Sequence, residues 1–545
     1  MSLDDVFLAL QDFIDRLVRR FRLGPRPPRE ARRLLIVQID GLPRSVFEEA
    51  LAAGRMPFVR RLLAHGFRMM PLSVGLPSST PAFQMAAMYG VRPDIPGFHY
   101  HDKQRQDDIY FPRAGDAAHV EDTQAAGRLG IVTGGSSYGC VFAGGAVNNL
   151  FNFAMLKRPS GVGLLRVFSV FVVVAWVLVK CVVLTTIELL RAVARLIADP
   201  VNETARGWKW LAIKIGLSVW VRQLFTLAVS SDLYRGVPTI YVNYLDYDVF
   251  AHAYGPRHRR AFRALGWIDA SIYQLWRVTR RVPEYQYDLY ILSDHGQTAT
   301  TPYHTLTGER LERRLFDEFF DPTGTAPVSA APPRSRRLLA AVRSLRRHRS
   351  SGLFQRFLNY LERDFLSWLG DVRQAHERAG VRVIAAGPNA FVYFMHSPDP
   401  VPIEAIDDRS PGLVDDISRS RGIGFVLARS ASGPMCVWRG KRYGVADLRQ
   451  GPFAGRGDLD VIARGVRDLM GMRCAGDLVL YGHGAPEGDV SFISEQGAHA
   501  GPGEDELHTF LVHPVHATPA APLVHPIQLY DHFVRYVTPA RAHAA

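Results

Sequence analysis

The residues of this chain that could do chemistry stand at the ends of apolar runs. Leu34 to Ile39 (LLIVQI) runs into Asp40-Gly41, Thr239 to Leu245 (TIYVNYL) into Asp246, Tyr247 and Asp248, and Asp288 to Ser293 (DLYILS) into Asp294-His295-Gly296. A fourth run, Asp477 to Gly482 (DLVLYG), precedes Gly497-Ala498-His499. Carboxylate oxygens and neutral imidazoles are what divalent cations take as ligands when they activate phosphoryl groups, about three from the protein with one position left open. Asp248 and His252 stand at i and i+4, so both lie on one face if the chain turns helical after its strand. Any single Asp-His pair is commonplace and usually structural. The set Asp40, Asp248, His252, Asp294, His295 and His499, gathered after strand-like runs, is a much stronger signal.

A nucleophile is available in Gly75 to Gln84 (GLPSSTPAFQ), where Ser78, Ser79 and Thr80 precede Pro81. Proline at the first turn of a helix places the Thr80 oxygen and unpaired backbone N–H groups at a helix N-terminus, a favourable place for phosphate. Taken alone, the segment also reads as a plain hydroxyl cap.

Near-continuous aliphatic and β-branched runs separated by helical stretches predict an α/β fold with a mainly parallel sheet covered by helices on both faces. Ligands of such sheets bind beyond the carboxyl ends of the strands, where these Asp and His residues converge. The 545 residues divide into an N-terminal amphipathic helix (1–30), core segments at 31–160, 233–310 and 471–516, an apolar helical insertion (161–232), a linker with a basic run (311–352), a small α+β subdomain (353–470) and a tail expected to fray (517–545). Hydrophobic residues are 47% and charged residues 21%, which excludes global disorder. The net charge of +13 favours an anionic partner, phosphate or lipid, while nothing specifies a nucleic acid.

Val167 to Val179 carries no charge, but Lys180 follows, and 13 residues fall short of the ~20 a spanning helix needs. With Trp208, Trp210 and Trp220 and the nearby basic residues, the insertion reads as a hairpin lying in or on a bilayer. A buried cap and a homodimer interface are the competing readings. Arg343, Arg346, Arg347 and Arg349 suit lipid headgroups or a solvated linker equally well. Asp4 and Asp5 stand where an export signal needs positive charge, so the expected location is the cytoplasmic side of a membrane. The cysteines, Cys140, Cys181, Cys436 and Cys474, are far apart and signal neither a disulfide framework nor a thiolate zinc site.

Asp40-Gly41, the P-S-S-T segment at Thr80, Asp248-x-x-x-His252 with Gly255-Pro256, L-S-D-H-G-Q-T at Asp294, and Gly497-Ala-His499 together resemble the alkaline phosphatase superfamily. Within it they look most like the type I phosphodiesterase/nucleotide pyrophosphatase branch. Pro93 to Phe98 (PDIPGF), Thr133 to Gly139 (TGGSSYG) and the helical insert are similar to bacterial membrane-associated members. The resemblance implies an alkaline-phosphatase-like core and two metal ions, Zn2+ or alternatively Mn2+. One would be held by Asp40, Thr80, Asp294 and His295, the other by Asp248, His252 and His499. It also implies Thr80 as nucleophile and a phosphothreonine intermediate. Diesterase relatives place an Asn some twenty residues after the nucleophile to hold a phosphate oxygen. Here that stretch reads F-H-Y-H-D-K, which leaves His99, His101 or Lys103 as stand-ins.

The expected function is hydrolysis of phosphodiesters or pyrophosphates, with lipid or lipid-linked phosphates at a membrane as the substrate the hairpin suggests. Phosphoryl-headgroup transfer to another acceptor and a non-catalytic membrane scaffold on the same fold are the alternatives. A sulfatase is disfavoured, because P-S-S-T-P-A-F does not match the C/S-x-P-x-R context of its nucleophile.

Overall fold

In a computed structural model of the chain, the residues described are 32–150, 216–320 and 376–537, together with 179, 181–187, 189, 190 and 193. Two seven-stranded sheets organise them. Strands β1 (Arg33–Ile39), β2 (Phe67–Ser73), β3 (Ser136–Tyr138), β4 (Asn148–Leu150), β5 (Thr239–Tyr244) and β6 (Tyr287–Leu292) belong to the first sheet. The second is built from β7 (His376–Arg378), β8 (Val381–Ala385), β9 (Asn389–Phe394), β10 (Phe425–Ser430), β11 (Gly433–Trp438), β12 (Lys441–Gly444) and β13 (Leu478–Tyr481). β14 (His508–Pro514) then returns to the first, whose order is β2-β14-β6-β1-β5-β3-β4.

In the first sheet β1 lies parallel between β5 and β6, and β14 alone runs against the others, pairing antiparallel with both β6 and the edge strand β2. Every residue of β1 is buried, and successive side chains go to opposite faces. Leu34 and Ile36 enter one core, Leu35, Val37 and Ile39 the other. Such a strand needs cover on both sides, which explains its unbroken apolar sequence. Helices α1 (Arg44–Ala52) and α2 (Pro57–Ala64) cover the second of these faces, and α3 (Thr80–Tyr89) covers the first. Chain-later cover comes from α4 (Arg222–Arg235), α5 (Asp246–Tyr254) and α6 (Arg259–Arg281) on the α1-α2 side, and from α7 (Leu459–Gly471) and α8 (Ile527–Phe533) on the α3 side. All ten residues of α3 are buried, because one face of the second sheet, with Phe391, Tyr393, Phe425 and Leu427, joins the same core.

Three expected boundaries shift. The DLVLYG run is not a strand of the catalytic sheet: β13 lies antiparallel between β9 and β10, pairing Leu480 with Ala390 and Val426. A four-residue apolar run carries no information about its partners, and the subdomain read as ending at 470 therefore extends through this strand. Residues 222–232 are core and not part of an apolar insertion, since Phe225, Val229 and Leu233 recur at i, i+4 and i+8 on the buried face of α4. The tail is packed as far as Val537, with Leu523, Leu529 and Phe533 at most 3% exposed in the α3 core. The N-terminal helix, Val167 to Leu178 and the arginine run at 334–349 lie outside the described residues.

The described residues between 179 and 193 are helical and pack inward through Cys181 and Leu184 against Val219 and Leu227, and Trp220 Nε1 donates to Thr185 Oγ1 at 3.0 Å. Among these residues, Val179, Val182, Val183, Leu190 and Val193 are each more than half exposed. No helix among the described residues is long and apolar enough to cross a membrane.

Candidate active site

β1, β5 and β6 run parallel, so their carboxyl ends lie side by side and the loops leaving those ends converge. Asp40 comes directly after β1. Gly41 is next with φ +68°, and a Cβ there would sit 2.4 Å from Asp248 Oδ1, so only glycine lets the two loops meet. Asp248 and His252 share one face of α5, with Asp248 Oδ1 3.4 Å from His252 Nε2. Asp294 and His295 diverge after β6: Asp294 Oδ1 accepts from Gly41 N (3.3 Å), and the His295 ring stacks on His499 with centroids 3.8 Å apart. Thr80 is the first residue of α3, after an extended Ser79 that makes no side-chain cap. Its Oγ1 lies 3.0 Å from His295 Nε2 and 3.4 Å from Asp40 Oδ1.

All six carboxylate and imidazole candidates thus converge with Thr80. Two subsets bring ligand atoms within 4.8 Å of one another: Asp40, Asp294 and His295, and Asp248, His295 and His499. The chemistry of these donors fits cations. His499 Nδ1 is 3.0 Å from Ser78 O, His295 Nδ1 is 3.1 Å from Gly296 O, and His252 Nδ1 is 2.8 Å from both Gly497 O and Glu495 Oε2. These partners only accept, so each Nδ1 is the donor and Nε2 is the ring atom left to face the site. Asp294 Oδ2 is buried with no hydrogen-bond donor, which is costly for a carboxylate unless a cation compensates it.

The titration behaviour agrees. Burial, with the charges of Asp294 and Asp248, pushes the Asp40 carboxyl well above its usual range. Burial and Asp248 likewise raise Asp294 against the opposing pull of His295. Asp248 is held low despite burial by His252, His499 and His295. Burial and the neighbouring imidazoles push His499 well below its ordinary value, leaving it neutral and able to ligate. His252 is raised in spite of burial by Asp248 and Glu495, which favour positive charge on that ring, whether a proton or a metal on Nε2.

His101 and Lys103 are not brought to the site. Lys103 Nζ is buried on Asp477 at 2.8 Å, and His101 Nδ1 is 2.8 Å from Asp108 Oδ1, with Arg382 beside it. Both belong to the hairpin His99–Asp102/Asp107–Tyr110, and these bonds tie it to the second sheet. His99 is buried against the Tyr110 ring, with centroids 5.3 Å apart. The other late histidines are also engaged elsewhere, His483 with Asp489 (3.0 Å) and His508 with Asp458 (2.8 Å).

Several supporting residues escape a reading of the sequence. Asn243 donates to Asp40 Oδ2, Gln297 to Asp248 Oδ1, and Glu495 holds His252. Ser78 accepts from Ala500 N through Oγ, and Glu506 ties Ser78 to Gly501, locking the His499 loop against the nucleophile loop. Of these, Asn243 had a signal: a lone amide in an otherwise apolar strand demands a buried partner. Groups that orient a ligating imidazole typically change metal affinity 10- to 100-fold. Glu495→Gln is accordingly expected to weaken zinc binding by about that factor, as read by chelator competition. An unchanged affinity would remove His252 from the ligand set.

The family model for type I phosphodiesterase / nucleotide pyrophosphatase matches residues 34–357, and the chain belongs to that family. Among solved structures it is similar to phosphonoacetate hydrolase from Sinorhizobium meliloti 1021 in complex with phosphonoformate, at 13% identity and a TM-score of 0.45, covering 95% of this chain and 98% of that one. A second is murine ectonucleotide pyrophosphatase / phosphodiesterase 5, an inactive form in complex with AMP, at 9% identity and a TM-score of 0.44, covering 92% and 95%. No curated protein matches the chain. The protein is a phosphoric ester hydrolase of the phosphodiesterase/nucleotide pyrophosphatase type.

Proposed function

We propose that the chain cleaves phosphodiesters or pyrophosphates with Thr80 as nucleophile and two divalent ions, zinc or manganese, on substrates presented at a lipid surface. The observation that carries the nucleophile assignment is Thr80 Oγ1 at the start of α3, 3.0 Å from His295 Nε2 and 3.4 Å from Asp40 Oδ1. Asp40, Thr80, Asp294 and His295 would hold one ion, and Asp248, His252 and His499 the other. When bound, such ions lower the pKa of a coordinated hydroxyl or water and neutralise phosphoryl charge. Thr80 Oγ1 attacks phosphorus in line, the bond to the leaving alkoxide or phosphate breaks, and a phosphothreonine forms. Water then attacks from the vacated side and frees the Thr80 oxygen. The backbone N–H groups at the start of α3 face the negative charge that develops on the phosphoryl oxygens.

A diester specificity is supported by which charges are missing. Among the described residues no Lys or Arg forms an ion pair with Asp40, Asp248 or Asp294, and none hydrogen-bonds to Thr80. The helix behind the nucleophile is apolar apart from Gln84. Two bare anionic oxygens would find few extra cations here, whereas a second ester group would meet apolar wall. The expected result is a kcat/KM for an aryl phosphodiester above that for the monoester with the same leaving group and metal loading. The reverse order would overturn the diester reading.

The lipid part is supported by the position of the exposed apolar side chains between 179 and 193. Their segment packs beside the start of α4, and α4 runs from there to the beginning of β5. The start of α4 is therefore at the carboxyl end of β5, the end that carries the site. A cluster of exposed large apolar side chains on a protein surface marks a binding region.

A further inference from the structure

A groove of about 470 Å³ lies between residues 54–61 and the outer face of α6. It exists because Gly266 and Ala270 put almost no side chain on that face, while Arg263 and Tyr273 stand on either side of them. Phe58 and Trp267 line its wall, and the Arg61 guanidinium lies over the rings of Tyr273 (5.7 Å) and Phe58 (5.9 Å). Arg55, Arg61 and Arg263 are exposed at the rim, and no described carboxylate forms an ion pair with them. The lining holds one acid, Asp269, which is 3% exposed and already accepts from Phe58 N (3.0 Å) and Val59 N (2.9 Å). Asp269 thus caps α2 and feels the charge of Arg61, but it is a single acid among three guanidinium groups beside an aromatic wall.

The groove adjoins the exposed apolar side chains between 179 and 193. Arg222, at the start of α4, donates to Trp267 O (3.4 Å), and Trp220 just before it donates to Thr185 in the apolar stretch. α6 begins shortly after α5, which itself leaves the carboxyl end of β5, so Arg263 in its second turn is also at the active-site end of the first sheet.

We propose that this groove binds the headgroup of an anionic phospholipid while the exposed side chains of Val179, Val182, Val183, Leu190 and Val193 enter the acyl region. The inference rests on the lipid-surface reading above. Guanidinium forks match phosphate oxygens in pairs, and aromatic rings prefer the headgroup level. An oligonucleotide could also satisfy the arginines, but it would leave the adjoining apolar side chains exposed to water.

The test is cosedimentation of the full chain with phosphatidylcholine vesicles, with and without about a third phosphatidylglycerol, at physiological salt. Near an anionic surface each basic residue is worth about fivefold in binding. Arg55→Gln, Arg61→Gln and Arg263→Gln together are expected to cost roughly a hundredfold toward the anionic vesicles. Turnover of a soluble aryl diester and the melting temperature stay at wild-type values. A control triple on the second sheet and its flank, Arg439→Gln, Lys441→Gln and Arg449→Gln, is expected to cost only a few-fold, and Val183→Asp with Leu190→Asp to abolish binding to both vesicle types. If wild type ignores both vesicles, the lipid reading itself falls. If wild type binds but the groove triple binds equally well, or loses no more than the control triple, the groove assignment alone falls. Tight binding of a single-stranded oligonucleotide that the groove triple abolishes, with no vesicle binding, would replace the lipid by a nucleic acid and overturn the proposal.

Discussion

Thr80→Ala is expected to lower kcat on an aryl phosphodiester by roughly four to six orders of magnitude, the scale on which loss of a covalent nucleophile is felt when the rest of the site survives. The folded state should hardly notice. Thr80 makes its contacts through Oγ1, to His295 and Asp40, and both partners keep each other and Asp294 within reach when the hydroxyl is gone. Metal content and melting temperature are therefore expected near wild type, and Thr80→Ser should recover a measurable part of the rate. Ser79 is the natural competitor and behaves differently in the structure. It sits one residue before the helix with φ −143°, is 1% exposed, and its Oγ has no hydrogen-bond partner. Ser79→Ala should stay within a few-fold of wild type. A dead Ser79→Ala beside an active Thr80→Ala would move the nucleophile by one residue and end the present assignment.

The site was legible because strand ends in a parallel sheet are forced together by topology. Asp40, Asp248 and Asp294 need no long-range prediction once β1, β5 and β6 are read as parallel neighbours, and the i, i+4 spacing then adds His252. His499 is different. The run in front of it, β13, belongs to the other sheet, and what delivers His499 is a short pairing of Gly497–Ala498 with Thr298–Ala299. His499 is reached through its motif, while the strand that precedes it in sequence does not position it. Lys103 and His101 failed for an electrostatic reason that sequence does not reveal. A lysine near a nucleophile is available to substrate only if no buried acid takes it first, and Asp477, 374 positions away, does so. Asn243, Gln297 and Glu495 went unread because each acts on a candidate ligand through one hydrogen bond, a relation set by loop conformation and not by residue spacing.

The second large effect concerns the cations. About two equivalents of zinc or manganese per chain are expected by elemental analysis, because the ligand set matches two sites of three to four ligands each. Asp294→Ala with His499→Ala removes a donor from each site and should leave less than one equivalent, with activity lost by several orders of magnitude. Full occupancy of that double variant would overturn the ligand assignment. Stability supplies an independent check whose sign depends on loading. At a thousandfold excess of free metal over its dissociation constant, a bound ion adds about 4 kcal/mol to folding. Chelation should therefore lower the melting temperature of the wild type and leave the double variant almost unmoved. Without metal the argument reverses, since burial and the charge of Asp294 push Asp40 upward, so their ionised forms oppose folding. Asp294→Asn should then destabilise the loaded protein yet stabilise the metal-free one. A carboxylate held for a structural hydrogen bond would destabilise in both states, and finding that pattern would mean Asp294 serves the fold and not a cation.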